Sequence, residues 1–158
     1  MKEDILVAVV GAGPAGSSAA EAIAAWGAEV VLIDKKSEIG SPVQCGGFLP
    51  EAAELEALMP RARLPQTLKE IPARCIMHRT GLQRIYSPSG KYKQFAVAGR
   101  VVDRRAYDRY LAARAARAGA RVLLATRARF EEGTLQLSGR FCGKIRPQII
   151  IGADGPHS

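Results

Sequence analysis

The feature that most constrains this chain is a glycine-rich turn between an apolar run and an alanine-rich segment. The turn reads Gly11-Ala12-Gly13-Pro14-Ala15-Gly16 and follows the β-branched run Ile5–Val10. A predicted helix over Ser17–Trp26 and a second apolar run, Glu29–Asp34, complete a βαβ unit. In such a turn Gly11 permits the tight bend, Gly13 lets a pyrophosphate approach the backbone, and Gly16 lets the helix pack closely on the sheet. The pattern predicts a dinucleotide-binding turn.

An acidic residue at the end of the second run strengthens this prediction. A Gly-x-Gly-x-x-Gly pattern alone is a weak signal, but here Asp34 follows Gly16 by 18 residues and ends a predicted strand. Its carboxylate can accept hydrogen bonds from both hydroxyls of an adenosine ribose and would repel a 2′-phosphate, which disfavours NADP at this turn. The helix N-terminus, opened by Pro14, offers N–H groups to the phosphates. A glycine turn without a ligand is the alternative.

The rest of the chain predicts an α/β fold with a parallel sheet and a small antiparallel meander. Residues 35–50 form a loop rich in Gly, Pro and Ser. The chain stops three residues after the glycine turn that follows the last predicted strand, which we interpret as truncation of a larger domain. The further predicted elements are a helix over Glu51–Met59, strand-like runs near Arg74–Arg79, Leu82–Ser87 and Lys91–Val97 with a turn at Pro88-Ser89-Gly90, a helix over Arg104–Ala118, a strand over Arg121–Ala125, the meander over 126–147 and a buried strand over Gln148–Gly152.

The charge of the chain is unevenly distributed. Residues 1–60 carry 3 basic and 9 acidic side chains, whereas residues 61–158 carry 20 basic and 6 acidic ones. A basic surface can attract phosphates or anionic lipid headgroups, although an arginine-rich surface without a partner is the alternative. The arginines are scattered and only 6% of residues are aromatic, which argues against a nucleic-acid partner. No run of 18 apolar residues exists, so no membrane-spanning helix is predicted.

The cysteines exclude two further classes of site. Cys45, Cys75 and Cys142 are separated by 30 and 67 residues, which matches no zinc pattern, and no metal site is predicted. An odd number argues against a disulfide framework. We expect Cys75 and Cys142 to be small buried hydrophobic residues. The N-terminal apolar run is too short for a signal peptide and is followed at once by glycines, so we expect a cytoplasmic protein.

Several segments, taken with the turn, resemble known flavoproteins. The proline within the turn is similar to that of glutathione-reductase-like FAD proteins. Val101–Asp108 and the Gly-Ala-Asp-Gly segment within Ile149–Ser158 are similar to segments of the p-hydroxybenzoate-hydroxylase-like flavoproteins. The loop 40–48 contains Cys-Gly-Gly and resembles a loop of the geranylgeranyl reductase family, whose FAD enzymes saturate isoprenoid double bonds. The resemblance covers essentially the whole chain.

This resemblance implies a Rossmann-like FAD-binding domain over residues 1–158, the N-terminal portion of a protein whose substrate domain is largely absent, with FAD as cofactor. It places Ala15 at the phosphates and Asp34 at the ribose. Arg104 would lie by the phosphate or ribityl region, and Ala128 would meet the adenine. The cofactor-binding residues implied are Gly11, Gly13, Pro14, Ala15, Gly16, Asp34, Lys35, Cys45, Gly46, Gly47, Phe48, Arg104, Ala128, Asp154 and Gly155.

The resemblance also implies a reaction. Reduced flavin would give a hydride to a geranylgeranyl double bond of a membrane lipid, with NAD(P)H or ferredoxin as the external electron donor. The partners implied are an isoprenoid lipid and, through the basic surface, the periphery of a membrane. The alternatives are an FAD-dependent aromatic-type monooxygenase and a non-catalytic dinucleotide-binding fragment. The chain by itself is expected to be inactive, because the family continues well beyond the Gly-Ala-Asp-Gly motif.

Three of the singled-out residues have two interpretations. Cys45 is the predicted catalytic residue, since a thiol between small residues can approach a flavin and tune it or help deliver a proton; otherwise it only shapes its loop. Arg104 is either a cofactor contact or a surface arginine at the start of a helix. Asp154 either belongs to the second dinucleotide motif or caps the turn that follows it.

Overall fold

The computed structural model describes residues 6–155. The chain consists of two compact units. The first unit combines Met1–Pro42 with Asp108–Ser158, and the second is Val43–Tyr107. The elements along the chain are β1 (Leu6–Val10), α1 (Pro14–Ala25), β2 (Glu29–Ile33), β3 (Phe48–Pro50), α2 (Ala52–Leu58), α3 (Gln66–Lys69), a 3₁₀ turn (Ala73–Cys75), β4 (Ile76–Tyr86), β5 (Tyr92–Val102), α4 (Arg104–Arg117), β6 (Arg121–Leu123), β7 (Thr126–Glu131), β8 (Thr134–Gly139), β9 (Gly143–Ile145) and β10 (Ile149–Gly152).

The first unit is built on a parallel sheet with the strand order β10-β1-β2-β6. The run that begins at Ile5 forms β1, although Ile5 itself lies outside the described residues. The centre of β1 is fully buried, as predicted for a strand covered on both faces. Continuous β-branched residues suit this position because neither face meets water. The predicted α/β fold with a parallel sheet is confirmed.

Two apolar clusters cover the faces of this sheet. Val7, Val9, Val30 and Leu32 pack with alanines of α1 and α4 on one face. Alternate residues of the same strands, including Ala8, pack with Leu135 of the β7-β8-β9 meander on the other face. The meander predicted over 126–147 is therefore a real antiparallel sheet, and it forms a third layer opposite the helices.

The last strand differs from its prediction. A buried strand was expected over Gln148–Gly152, but Ile149 and Ile150 of β10 are 48% and 37% exposed. The reason is its position, since β10 lies at the edge of the sheet and pairs only with β1 among the described strands. The expectation for Cys142 is also wrong, because this side chain is exposed between β8 and β9, whereas Cys75 is buried as predicted.

The backbone preferences of proline and glycine explain where α1 begins and ends. Helix α1 begins at Pro14, three residues before the predicted start, because the fixed φ of proline suits the first helical position. It ends at Ala25 and is followed by Gly27, whose φ of +83° is accessible to glycine and whose N–H donates to the Ala24 carbonyl. Helix α4 matches its predicted range to within one residue.

The second unit contains an antiparallel sheet with the order β3-β5-β4. The prediction of separate strand-like runs near Arg74–Arg79 and Leu82–Ser87 is wrong, because β4 continues through Gly81 with a register shift between Thr80 and Leu82. A glycine inside a strand accommodates such an irregularity instead of ending the strand. The turn at Pro88-Ser89-Gly90 is confirmed, and β3 and α3 were not predicted.

Candidate functional site

Three strand ends meet at one edge of the parallel sheet. Because β1, β2 and β10 run parallel, the segments that follow them emerge on the same side. The N–H of Gly11 donates to the Ile33 carbonyl at 2.7 Å, and the N–H of Ala153 donates to the Val10 carbonyl at 2.7 Å. The glycine turn, Asp34 and the segment 153–155 are thereby assembled by the sheet although they are far apart in sequence.

Two glycines of the turn are required by packing alone. Gly11 has a φ of +105°, and a Cβ there would lie 2.3 Å from the Ala153 carbonyl oxygen. A Cβ on Gly16 would lie 1.9 Å from the Gly11 carbonyl oxygen and 3.1 Å from the Cβ of Ala153. The two shortest of these contacts are too short for real atoms, so neither position accepts a side chain unless the backbone moves. Gly16 thus brings α1 against the turn and against the strand-end segment at Ala153.

The third glycine faces open space. A Cβ on Gly13 would meet no atom within 4 Å, and its φ of −73° is one that any residue adopts. The first intrahelical bond of α1 runs from the Ser17 N–H to the Gly13 carbonyl at 2.9 Å. The N–H groups of Ala15 and Gly16 precede that bond, and no side chain caps this helix end. Open space beside a glycine and unused N–H donors fit a pyrophosphate.

Asp34 is held by two backbone hydrogen bonds. Its Oδ2 accepts the N–H of Ala12 at 2.7 Å, and its Oδ1 accepts the N–H of Lys36 at 2.8 Å. The carboxylate therefore joins the glycine turn to the end of β2. Each carboxylate oxygen has lone-pair capacity beyond these bonds, so a ribose hydroxyl can still donate to it. The sequence did not predict that Asp34 stabilises the turn.

The end of β2 is also held by the corner between β6 and β7. The N–H of Asp34 donates to the Leu123 carbonyl, and the N–H of Thr126 donates to the Asp34 carbonyl, both at 2.9 Å. The N–H of Ala125, a residue with a φ of +52°, donates to the Lys36 carbonyl at 2.8 Å. Lys35 lies between these anchored positions and is exposed. Sequence reasoning missed this corner, because an alanine gives no signal of a glycine-type backbone conformation.

The remaining predicted residues of the first unit lie on two elements. Asp154 and Gly155 are exposed directly after β10, and the Cα of Asp154 would lie 2.7 Å from a Cβ placed on Gly11. They therefore adjoin the glycine turn. Ala128 lies on β7 opposite Leu137, and its side chain packs against the meander-side cluster. The structure thus brings Asp154 and Gly155 to the turn and places Ala128 on the neighbouring layer.

The Cys-Gly-Gly loop belongs to the second unit. Cys45 and Gly46 are exposed, whereas Gly47 is buried with a φ of +77°. The Gly47 carbonyl accepts the Val102 N–H at 2.9 Å, and a Cβ on Gly47 would lie 2.3 Å from the Val102 carbonyl oxygen. Gly47 is therefore required for pairing with β5, while a Cβ on Gly46 would meet no atom within 4 Å. Phe48 opens β3, and its ring packs over the backbone of β5.

Arg104 is the first residue of α4 and is half-buried. The residue before it, Asp103, caps this helix, because its Oδ1 accepts the N–H groups of Arg105 at 2.9 Å and Ala106 at 3.2 Å. The Asp103 N–H donates to the carbonyl of Cys75 at 2.9 Å. Burial raises the pKa of the Cys75 thiol, with Arg74 lowering it and Asp103 raising it by smaller amounts. Cys75 is thus a buried, protonated thiol that packs under the start of α4.

An ion pair holds helix α1 against α4. The Nε of Arg114 donates to both carboxylate oxygens of Glu21, at 2.8 and 2.9 Å. Its Nη1 donates to the Tyr110 hydroxyl at 3.1 Å, and its guanidinium lies 5.7 Å from the centroid of the Tyr110 ring. Hydrogen bonding to Glu21 raises the pKa of Arg114, so the guanidinium is charged at any working pH.

Comparison with known protein families decides which dinucleotide this geometry serves. The model of the family described as "FAD binding domain" matches residues 4–158. The chain belongs to this FAD-binding domain family. FAD is therefore its cofactor, and the open space at Gly13, the N–H groups of α1 and the acceptor Asp34 are the features that fit it.

Relatives match along nearly the whole chain. A Methanosarcina barkeri protein with the name "Uncharacterized protein in nifH2 5'region" is 55% identical over 155 residues, which are 96% of this chain and 83% of that protein. Digeranylgeranylglycerophospholipid reductase 1 of Methanothermobacter thermautotrophicus is 36% identical over 172 residues, covering 100% of this chain and 41% of that enzyme. The reductase of Methanocaldococcus jannaschii is 38% identical, and 38% of its length is covered. The chain spans about two fifths of these reductases.

Solved structures agree with this relationship. A geranylgeranyl bacteriochlorophyll reductase-like protein of Thermoplasma acidophilum is 32% identical with a TM-score of 0.75, over 96% of this chain and 39% of that one. The FAD-dependent halogenase CndH has a TM-score of 0.69 at 18% identity, a likeness of fold alone. The chain is thus an FAD-binding flavoprotein domain of the oxidoreductase type, similar to geranylgeranyl reductases. Over residues 6–155, none of the helices has the length and apolar character needed to cross a membrane.

Proposed function

We propose that the chain is the FAD-binding portion of an oxidoreductase that reduces geranylgeranyl double bonds of membrane lipids. One observation carries the proposal: identity of 33–38% with digeranylgeranylglycerophospholipid reductases extends over 96–100% of the chain. Halogenases and oxygenases of the same fold are 15–21% identical. The Cys-Gly-Gly loop, which the resemblance associates with reductases, is part of the matched region.

The first unit supplies the adenosine half of the proposed FAD site. The N–H groups of Ala15 and Gly16 bind the pyrophosphate, which reaches the backbone through the space beside Gly13. Asp34 accepts the ribose hydroxyls while its existing bonds to the backbone hold it in place. Asp154 and Gly155 border the same turn. Lys35, Pro14 and Ala128 complete the proposed contacts of this unit.

The remaining proposed contacts of FAD, which the resemblance implies, are residues of the second unit. Gly47 keeps its loop paired with β5. The exposed Cys45 and Gly46 directly precede this hydrogen-bonded residue. Phe48 and Arg104 are the remaining proposed contacts. When bound and reduced, FAD supplies the hydride for the double bond, and a proton completes the saturation at the neighbouring carbon. Cys45 is the proposed catalytic residue, which helps to deliver that proton. The donor that reduces the flavin is NAD(P)H or ferredoxin.

Two measurements test the proposal in sequence. The purified chain is titrated with FAD by calorimetry and by flavin absorbance, and we expect stoichiometric binding. The chain and the polypeptide encoded by its full reading frame are then reduced anaerobically and mixed with a geranylgeranyl phospholipid. We expect a mass gain of two hydrogens for each double bond with the longer polypeptide and no turnover by the chain alone.

Matched variants locate the chemistry. The two substitutions are made in the longer polypeptide. Cys45→Ser keeps a protic group of similar size, whereas Cys45→Ala removes it. The alanine variant should therefore lose more turnover than the serine variant, while both bind FAD. Equal activity of all three proteins would remove Cys45 from the mechanism. Substrate-stimulated oxygen consumption with a hydroxylated product would show that the protein is a monooxygenase and not a reductase. Absence of FAD binding would refute the role of the glycine turn.

A further inference from the structure

Thr126 is a fully buried polar residue that the proposed FAD contacts do not use. It opens β7, and its Oγ1 donates to the Leu124 carbonyl at 3.0 Å. A buried hydroxyl without a partner costs free energy, and this hydrogen bond supplies the partner. The bond spans Ala125 and closes the chain between β6 and β7. We call residues 123–126 the corner.

The corner contains a backbone conformation that a side chain disfavours. Ala125 has a φ of +52°, in the left-handed region that residues with a Cβ rarely adopt. Its N–H donates to the Lys36 carbonyl at 2.8 Å, and its carbonyl accepts the Arg140 N–H at 2.8 Å. These two hydrogen bonds, together with the bond of the Thr126 hydroxyl across the residue, hold this conformation.

The corner in turn fixes the backbone of Asp34. The N–H of Asp34 donates to the Leu123 carbonyl, and its carbonyl accepts the Thr126 N–H, both at 2.9 Å. Because both polar backbone groups of Asp34 are bonded to the corner, a change in the shape of the corner moves the Cα from which the carboxylate extends. The same carboxylate accepts the Ala12 N–H at 2.7 Å. A continuous series of hydrogen bonds therefore joins the Thr126 hydroxyl to the proposed ribose acceptor.

All of these contacts lie inside one unit. Thr126, the rest of the corner and Asp34 belong to the first unit, and the hydroxyl that begins the series is fully buried. The series is complete within this chain, so it does not depend on which surfaces the further residues of a longer polypeptide cover. Packing alone is the competing role of Thr126, and valine has nearly the same shape but no hydroxyl. Packing therefore requires only the shape at position 126, whereas positioning requires the hydroxyl.

We propose that Thr126 is a positioning residue for the adenosine ribose. Its hydroxyl keeps the corner in the shape that directs the carboxylate of Asp34 towards the ribose hydroxyls. The inference rests on the ribose contact of Asp34 in the proposed function, and it adds a buried residue outside the proposed FAD contacts. It requires neither reduction of the flavin nor a lipid substrate. It can therefore fail while FAD binding and reductase activity are both found.

The test compares the binding of ADP with that of 2′,3′-dideoxy-ADP, which lacks both ribose hydroxyls, by calorimetric titration of the FAD-free full chain. The native chain should bind ADP at least about tenfold more tightly, because a hydrogen bond to a charged acceptor contributes at least this factor. In Thr126→Val this preference should fall to about threefold or less, while the affinity for 2′,3′-dideoxy-ADP stays the same. Thr126→Ser keeps the hydroxyl and should keep the preference.

Thr134→Val is the matched control. The Thr134 Oγ1 also donates to a backbone carbonyl of the meander, that of Glu131 at 2.8 Å. Thr134 lies opposite Glu131 at one end of the paired strands β7 and β8, whereas Thr126 lies at the other end. The control removes a hydroxyl of the same kind far from the corner, and we expect the preference for ADP to stay at its native value.

Amide hydrogen exchange gives a second readout in the absence of any nucleotide. The Ala12 N–H, which donates to Asp34, should exchange faster in Thr126→Val than in the native chain, whereas the amides of β1 keep their protection. Ala125→Gly combined with Thr126→Val tests whether the corner transmits the effect, because glycine adopts a positive φ without the steric cost of a Cβ. This double variant should fold and regain part of the preference for ADP.

Four outcomes contradict the inference. A native preference for ADP in Thr126→Val, or an equal loss of preference in Thr134→Val, would overturn the positioning role. Loss of the preference in Thr126→Ser would show that the shape of the threonine matters and not its hydroxyl. A folded double variant that regains no preference would show that the hydroxyl does not act through the corner. Equal binding of the two nucleotides by the native chain would overturn the ribose contact of Asp34 itself, and the inference with it.

Discussion

Replacing Gly13 by alanine separates cofactor binding from folding at this site. The new Cβ would meet no atom within 4 Å, and the φ of −73° suits alanine. Alanine is a poorer N-cap than glycine by about 0.5–1 kcal/mol, whereas the lower entropy of the unfolded chain stabilises by about 0.4–1 kcal/mol. The two effects offset each other. We expect the free energy of unfolding of Gly13→Ala to change by less than about 1 kcal/mol.

The affinity for FAD should change much more. The added methyl group stands where the pyrophosphate has to approach the backbone, so the phosphates cannot reach the N–H groups at the start of α1. A loss of only one such hydrogen bond to a charged group, about 1.5–3 kcal/mol, weakens binding by a factor of more than about ten. Calorimetric titration of FAD into Gly13→Ala measures this loss directly.

Gly16→Ala is the comparison that makes the result interpretable. Its Cβ would lie 1.9 Å from the Gly11 carbonyl oxygen, which is backbone and cannot move without opening the turn. We expect a loss of more than about 3 kcal/mol in urea unfolding. If Gly13→Ala binds FAD as well as the native chain, the pyrophosphate does not pass Gly13. If it unfolds as easily as Gly16→Ala, the space beside Gly13 is not open.

Three other substitutions probe the surroundings of the site. In Asp34→Asn the amide NH₂ has to face one of two N–H donors, so we expect about 1–2 kcal/mol less stability in urea and weaker FAD binding; unchanged stability would show that these bonds contribute nothing. Arg114→Ala should cost about 1 kcal/mol, and a double-mutant cycle with Glu21→Gln should show coupling that decreases with salt. Because the pKa of Cys75 is raised in the folded chain, its contribution to stability is fully present at pH values below the ordinary pKa of 9.0. This contribution is lost as the pH rises through the higher pKa of the folded state. The native chain should therefore lose more stability than Cys75→Ala as the pH rises from below 9.0 to above it, and parallel pH profiles would contradict this assignment.

Much of the first unit could be predicted because its signals are local. The run before Gly11, the position of Pro14 and the glycine at 27 fix β1 and α1 through backbone preferences that act within a few residues. The resemblance to known flavoproteins specified FAD as the predicted dinucleotide. The strands of the second unit were predicted less well, since Gly81 indicates a break in the sequence pattern but is tolerated within a strand paired along its length.

The sequence by itself determined that a glycine turn of this kind follows a buried strand and opens a helix. Only the tertiary structure decided what each glycine does, because the crowding at Gly11, and part of that at Gly16, comes from Ala153, which is far away in the sequence. The same holds for Asp34, which was predicted from its position after β2 but also fastens the turn by accepting the Ala12 N–H. Steric contacts and hydrogen bonds between distant segments exist only once the parallel sheet has aligned the ends of its strands.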